Sequence, residues 1–210
     1  SAARLAALID RLAGFGARPY GGVDRQALCD AEIEARRFLV GVARSLGCAA
    51  FQDEAGNLFF RRDGREALAP VVTGSHIDTQ PAGGRLDGAF GVCAGLEAIA
   101  ALNDAGASTR HPVEVVIWSN EEGCRFAPGS MGSAAFVEPE RLAGFLETRD
   151  GDGIRYGDCV DRARAALDEV PVRGLKTAMH CFVEAHIEQG PVLEQAGVPI
   201  GSIQGIQGVR

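Results

Sequence analysis

Apolar positions recur three and four apart in two stretches near the start of the chain. Leu5, Ile9 and Leu12 mark a helix over residues 2–12, stopped by Gly14-Phe15-Gly16. Ile33, Phe38, Leu39, Val42 and Leu46 form the buried stripe of a second helix over 30–46, with Gly47 placed to close it. The period then changes. Residues 49–51 and 57–61 read as a β-hairpin around Glu54-Ala55-Gly56-Asn57. Val71-Val72 reads as the end of a buried strand, and 113–118 is a dense β-branched run that reads as a central one. Between them, 91–102 is rich in Ala and Gly with Leu96, Ile99 and Leu102 on one side, the pattern of a helix packed closely on a sheet. Further on, 124–133 reads as a Gly/Pro/Ser loop, 137–160 as irregular chain or short helices, and 162–167 as a helix. Residues 182–187 read as a strand, and 198–209 as a strand with glycine breaks.

Strand and helix patterns alternate, so the expected class is α/β, with a mostly parallel mixed sheet flanked by helices. Polar clusters follow three of the strands, at 76–87, 121–122 and 186–189. Strand ends that converge on one edge of a parallel sheet form the crevice where such folds place their ligands.

Composition narrows the function classes. The 210 residues suffice for one domain with a core, and 46% hydrophobic with 23% charged residues is ordinary for a globular chain. A formal charge of −7 argues against nucleic-acid and anionic-membrane partners but leaves a small acidic substrate open. No apolar run approaches the ~18 residues of a membrane span. Residues 1–16 lack the apolar core and cleavage pattern of a signal peptide. Six scattered cysteines without a C-x-x-C pair read as reduced thiols, and so as a cytoplasmic location.

The chemistry concentrates in VVTGSHIDTQPAGGRLDGAFGVCAG, residues 71–95. His76 and Asp78 are two apart, and in extended chain they point the same way. Asp78 is therefore expected to accept the second ring N–H of His76 and fix the tautomer of a metal-bound imidazole. His-x-Asp alone is a common short pattern; the Gly-Gly-x-x-Asp-Gly behind it makes the string specific. His76, Asp87, Glu122 and His186 supply nitrogen and carboxylate oxygen, which suits zinc, manganese, cobalt or nickel better than calcium. A carboxylate bridging two ions ~3.5–4 Å apart would use them economically, and Asp87, in a glycine-rich turn, is the bridge candidate. Glu121 and Glu122 close an apolar strand before Gly123; one can bind metal while the other takes a proton from water. A histidine in an apolar strand is more often a hydrogen-bonded core residue, which is the competing reading of His186. His111 and His180 read as ordinary, Arg85 stays unassigned, and Cys93 and Cys124 lack a matched base for nucleophilic work.

The strings GSHIDTQPAGGRLDGAFGV (74–92), SNEEGCRFAP (119–128) with Gly132-Ser133, and HIEQGPVLE (186–194) resemble the amidase/hydantoinase/carbamoylase branch of the di-metal aminopeptidase–aminoacylase superfamily. That branch holds N-carbamoyl-L-amino-acid hydrolases, β-ureidopropionases and allantoate amidohydrolases. The form TQPxGG with HPVEVVxWxNEEGxRFAP is more similar to the β-ureidopropionase and carbamoylase side. The resemblance implies a di-zinc aminopeptidase-like catalytic fold and two divalent metal ions. It implies that His76 and His186 share one ion, Asp87 bridges and Glu122 binds the second. Glu121 is then the general base, Asp78 orients His76, and Gln189 contacts the ureido group. The implied reaction is hydrolysis of a carbamoyl C–N bond, releasing ammonia, carbon dioxide and the free amino acid. Allantoate or an acyl-amino acid is the alternative substrate.

Members of the branch are about twice this long and carry an inserted lid and dimerisation domain. The resemblance therefore implies that 1–204 is the N-terminal part of the catalytic domain, truncated before that insert, and that 205–210 begins it. A last metal-ligand histidine, lid residues for the substrate carboxylate and a partner-subunit histidine would lie outside this stretch. The expectation is a homodimer for the full-length protein. The segment alone is expected to bind one metal at best, to be nearly inactive, and to expose a sheet edge and apolar surface. A reading of another class is a truncated relative that keeps the fold and only binds a partner or small molecule.

Overall fold

In the computed structural model, which describes residues 1–205, the two N-terminal amphipathic stretches are helices α1 (Ala2–Ala13) and α2 (Asp30–Ser45). The Ser1 side chain accepts from the Arg4 amide and caps the first. Gly47, at φ +78°, follows the end of the second, as its position in the sequence implies. The hairpin strands are β1 (Ala49–Gln52) and β2 (Leu58–Arg62). Then come β3 (Val71–His76), α3 (Ala89–Asp104), β4 (Val113–Trp118) and α4 (Met131–Val137). Short helices α5 (Leu142–Leu146) and α6 (Tyr156–Ala165) lead to β5 (Cys181–Val183) and α7 (Val192–Ala196).

The five strands form one mixed sheet in the order β1-β2-β4-β3-β5. The hairpin half is antiparallel, and β2 also pairs antiparallel with β4. The half that carries the polar clusters is parallel: β3 lies between β4 and β5 and runs with both. Period-2 alternation splits the sheet into two apolar faces. Leu58, Phe60, Val115 and Ile117 face α1, α2 and α3, burying Ile9, Leu12, Leu39, Leu96 and Ile99. Phe59, Val116 and Trp118 face the other way, onto Phe136 of α4. A third cluster, with Leu28, Ile33, Phe126, Met131, Tyr156 and Val160, ties α2, α4 and α6 together.

The departures from the sequence reading lie where periodicity is weak. Residues 124–133 are loop only up to Ser130, because Met131, Ala135 and Phe136 bury one side of a short helix. The helix expected at 162–167 starts earlier, at Tyr156, whose ring is fully buried. The strand expected over 182–187 is only Cys181–Val183; there the Ser75 hydroxyl bonds to the Glu184 carboxylate and the ladder ends. Residues 198–205 form no strand. The remainder of that expected strand, 206–209, lies outside the described residues, as does most of 205–210. Among the described residues no helix is long and apolar enough to cross a membrane.

Candidate metal centre

Parallel pairing brings the clusters together. In the β3–β5 register Val71 faces Cys181 and Thr73 faces Val183, a constant offset that, carried forward, sets His186 opposite His76. The two imidazole rings lie 5.9 Å apart, nearly stacked. In the β3–β4 register His76 faces Trp118, so the chain two or three residues further, at Asp78, meets Asn120 and Glu121.

Asp87 reaches the same point from the turn before α3. Gly88, at φ +61°, starts that helix with its Cα against the His76 ring; a Cβ there would sit 2.4 Å from the ring atoms. Glycine is required at this position by the approach and by the backbone.

Both histidines present the same atom. The Nδ1–H of His76 donates to the main-chain carbonyl of Asp78 at 2.8 Å, and that of His186 to the carbonyl of Ile187 at 2.9 Å. A carbonyl only accepts, so each Nδ1 carries the proton of that bond and each Nε2 is the ring atom left to face the site. Those Nε2 atoms lie 3.8 Å and 3.3 Å from the same Asp87 Oδ1. His76, Asp87 and His186 thus bring one ligand atom each within 4.8 Å of one another. Ligands about 2.1 Å from a shared tetrahedral ion stand about 3.4 Å apart, so the donor set fits zinc or a similar ion.

The surroundings of the triad are acidic. Glu121 Oε2 is 3.5 Å from His76 Nε2, and Asp78 Oδ1 is 3.6 Å from Nδ1. Burial disfavours a protonated His76, yet Asp78 and Glu121 outweigh it and raise its pKa to about 9. The same field favours a divalent cation in place of the proton. Burial is the main cause that raises the pKa of Glu121, with neighbouring Asp78, Glu122 and Asp87 adding to it against His76.

The other expected residues are distributed less simply. Glu122 stands outside the triad; its Oε2 accepts from Gln80 Nε2 at 2.6 Å, while Oε1 is buried with no partner among the described residues. An orphaned buried carboxylate oxygen is expensive unless a cation or donor satisfies it, which fits a ligand for a second ion. Gln189 donates to Asp87 Oδ2 at 2.9 Å, so it touches the metal triad. Asp78, expected to orient His76, holds the ring through its carbonyl at 2.8 Å, with its carboxylate 3.6 Å from the same Nδ1 and also accepting the amides of Glu121 and Glu122. Gln80 lies within the motif but carried no assignment.

The residues set aside earlier stay outside. Arg85 pairs with Asp10, and His111 and His180 pack against each other, ring centroids 4.2 Å apart and tilted by 37°. Burial pushes the Cys93 thiol up to about 12, which suits a core residue and not a nucleophile. Beside Glu121 a cleft of about 380 Å³ opens between Trp118, Phe136, Met179 and Phe182, with Ser75 and Glu184 also lining it.

Comparison with known proteins identifies the family. The model of the peptidase family M20/M25/M40 matches residues 72–203. An N-carbamoyl-L-amino-acid amidohydrolase of Rhizobium meliloti is 41% identical over 199 residues, covering 94% of this chain and 47% of that protein. A ureidoglycolate hydrolase of Oryza sativa subsp. japonica is 37% identical over 203 residues, covering 94% and 42%. The crystal structure of a hydantoinase/carbamoylase family amidase from Burkholderia ambifaria superposes with a TM-score of 0.88 at 46% identity, covering 94% of this chain and 48% of that one. The chain spans about half the length of the curated relatives it matches.

Proposed function

The chain belongs to the peptidase family M20/M25/M40, and from that premise we propose that it is the metal-binding part of an amidohydrolase acting on the linear C–N bond of N-carbamoyl (ureido) amino acids. The products are ammonia, carbon dioxide and the free amino acid. The observation that carries the reading is the pair of Nε2 atoms aimed at one Asp87 oxygen, with Glu121 alongside. His76, Asp87 and His186 would hold one divalent ion, with Glu122 the ligand for a second and Asp87 shared; zinc, manganese, cobalt and nickel all suit these donors. When bound, the ions polarise the ureido oxygen and acidify water.

The remaining work falls to side chains. Glu121 is half-exposed at the triad, and its raised pKa brings it toward the range of a general base. It takes the proton of the attacking water and delivers it to the leaving nitrogen. Gln189 exchanges its bond to Asp87 for one to the ureido group. Homodimerisation of the full-length protein rests on the resemblance, and the cytoplasmic location on the scattered thiols. The net acidity speaks against nucleic-acid and membrane partners.

The rice relative supports a second reading in which ureidoglycolate is the substrate. Elemental analysis and ammonia release test both. The reading expects about one transition-metal ion per 210-residue chain, lost in His76→Ala. It expects slow ammonia release, since Glu121 and His186 keep 41% and 26% of their side-chain surface in water. Release should be faster from N-carbamoyl-L-amino acids than from ureidoglycolate or allantoate, and abolished by Glu121→Gln. Preference for ureidoglycolate would select the second reading. A folded chain that takes up no divalent ion would overturn both and favour a non-catalytic binding relative.

A further inference from the structure

We propose that Arg25 is a positioning residue for the loop between His76 and Asp87, tying the main chain on both sides of Asp78 to the end of α1. Its effect on an ion rests on the reading of His76 and Asp87 as ligands.

Arg25 lies fully buried in the connection between α1 and α2. Its Nε–H donates to the Ile77 carbonyl at 2.8 Å. Its Nη1 donates to the carbonyls of Leu12 and Phe15, at the C-terminal end of α1, at 2.9 Å and 2.8 Å. The Arg25 main chain grips Thr79 as well. The Arg25 amide donates to Thr79 Oγ1, and the Thr79 amide donates to the Arg25 carbonyl, both at 2.9 Å. Thr79 Oγ1 in turn donates to the Val23 carbonyl at 3.1 Å, and Val23 and Gly83 exchange main-chain bonds of 3.0 Å and 2.8 Å. Residues 23–25 therefore back the loop at Ile77, Thr79 and Gly83.

Stability alone does not call for a guanidinium here. Among the described residues its side chain bonds only to main-chain carbonyls, and Nη2 is buried without a partner. A buried cation of this kind is often less stabilising than an apolar side chain of the same volume. What arginine adds is a rigid fork of donors that fixes the distance between two separate segments. Asp78 sits between the two gripped residues. Its carbonyl holds the His76 ring at 2.8 Å, with its carboxylate 3.6 Å from the same Nδ1. A shift of the Asp78 main chain therefore moves the ring. Metal sites tolerate donor displacements of about 0.2 Å, so a tie at Ile77 acts on the ion through His76 without touching it.

Two variants of the full 210-residue chain and a control test this. Arg25→Met keeps an apolar stem and removes the donors; Arg25→Lys keeps a cation without the fork. Gln52→Leu is the control, because the buried Gln52 amide ties the Leu167 and Val170 carbonyls from β1, at the other edge of the sheet. In chelator competition, zinc affinity should fall about tenfold in Arg25→Met, the lower end of the loss when a ligand's outer support is removed, and by less in Arg25→Lys. The visible absorption of bound cobalt, which reports ligand geometry, should change in the Arg25 variants and not in Gln52→Leu. In the metal-free chain, the Thr79 and Gly83 amides of Arg25→Met should gain about tenfold more in exchange rate than the β4 amides. The Arg25 Nε–H of the wild type should itself exchange slowly. A fast-exchanging Nε–H in the wild type overturns the proposal even if Arg25→Met fails to fold. So do unchanged zinc affinity and cobalt absorption in a folded Arg25 variant, equal quickening at β4, or an equal loss of zinc affinity in Gln52→Leu. If the Thr79 and Gly83 amides respond as stated but the wild-type chain binds neither zinc nor cobalt, the positioning of the loop stands and the metal-centre reading falls.

Discussion

Replacing Gly88 by alanine should damage the site at its most crowded point. Gly88 has φ +61° and ψ −46°, a region closed to side chains other than glycine's. An alanine held there is strained by about 1–3 kcal/mol. The added Cβ would lie 2.4 Å from Cδ2 and Nε2 of His76 and 2.5 Å from Cε1. Ordinary carbon contacts begin near 3.5 Å, so the ring must retreat by about 1 Å. It is buried and held at Nδ1 by a 2.8 Å bond to the Asp78 carbonyl, and stretching that bond adds about 1 kcal/mol. The metal-free chain should lose about 2–4 kcal/mol in urea unfolding. The second effect is on the ion. Metal sites tolerate donor displacements of about 0.2 Å, so moving Nε2 by several times that should weaken zinc binding at least tenfold in a competitive chelator titration. Gly106→Ala is the control: φ is +59° but open space surrounds it, so only the backbone effect remains and zinc binding is unchanged. A Gly88→Ala chain that unfolds within about 0.5 kcal/mol of wild type and binds zinc equally would refute the placement of His76 against this helix start.

Two further substitutions test the frame around the site. In Gly132→Ala the new Cβ would fall 2.1 Å from Asn57 Oδ1 and 2.6 Å from the Ser119 amide, breaking the 3.0 Å bond between them. A loss of about 2–4 kcal/mol in urea unfolding is expected, and a neutral variant would contradict the packing of α4 on the hairpin turn. Burial raises the Asp53 carboxyl to about 6, despite bonds from the amides of Ala55 and Asn57 and from the Asn57 side chain. The folded state then holds this proton more tightly than the unfolded one. Its stabilising contribution is complete below about pH 4 and is lost as pH rises through about 6, a change of about 2–3 kcal/mol. Unfolding of wild type and Asp53→Asn from pH 4 to 7 should show that difference change by this amount; a constant difference would refute it.

Much of this was legible because it is local. The stripes of α1 and α2, the Ala/Gly-rich face of α3 and the full extent of β4 follow from periodicities within a dozen residues. His76 and His186, two of only four histidines, stood out at or just past strand ends that parallel register brings together, and Asp87 stood out in the glycine-rich turn before α3. Two things were not legible. The Asp78 carboxylate also accepts the Glu121 and Glu122 amides, just past the left-handed Asn120, and the His76 ring bonds to the Asp78 carbonyl; nothing in the His-x-Asp spacing encodes that. The end of β5 depends on Glu184 bonding to Ser75, 109 residues away in sequence. Both are choices between equivalent hydrogen-bond partners, settled by tertiary contact and not by pattern.

The three triad residues are not held with equal firmness, and that inequality has a consequence. His76 ends β3, which has neighbours on both sides, and Asp87 precedes a helix packed on the sheet. His186 follows β5, an edge strand among the described residues, three residues long and exposed throughout. Little opposes local opening of such a strand. An ion that needs His186 together with His76 and Asp87 binds only the closed form, and at a free concentration of about 100 times Kd it stabilises that form by about 2.7 kcal/mol. Hydrogen exchange should then slow about 100-fold at the β5 amides and at His180, whose amide bonds to the Pro70 carbonyl at 2.8 Å. The interior strand β4, already protected by both neighbours, should not change by that local route. His186→Ala should abolish the slowing while leaving the strand able to pair. Equal slowing across the whole sheet would mean the ion stabilises the fold globally, and no slowing at β5 in a zinc-loaded chain would remove His186 from the ligand set.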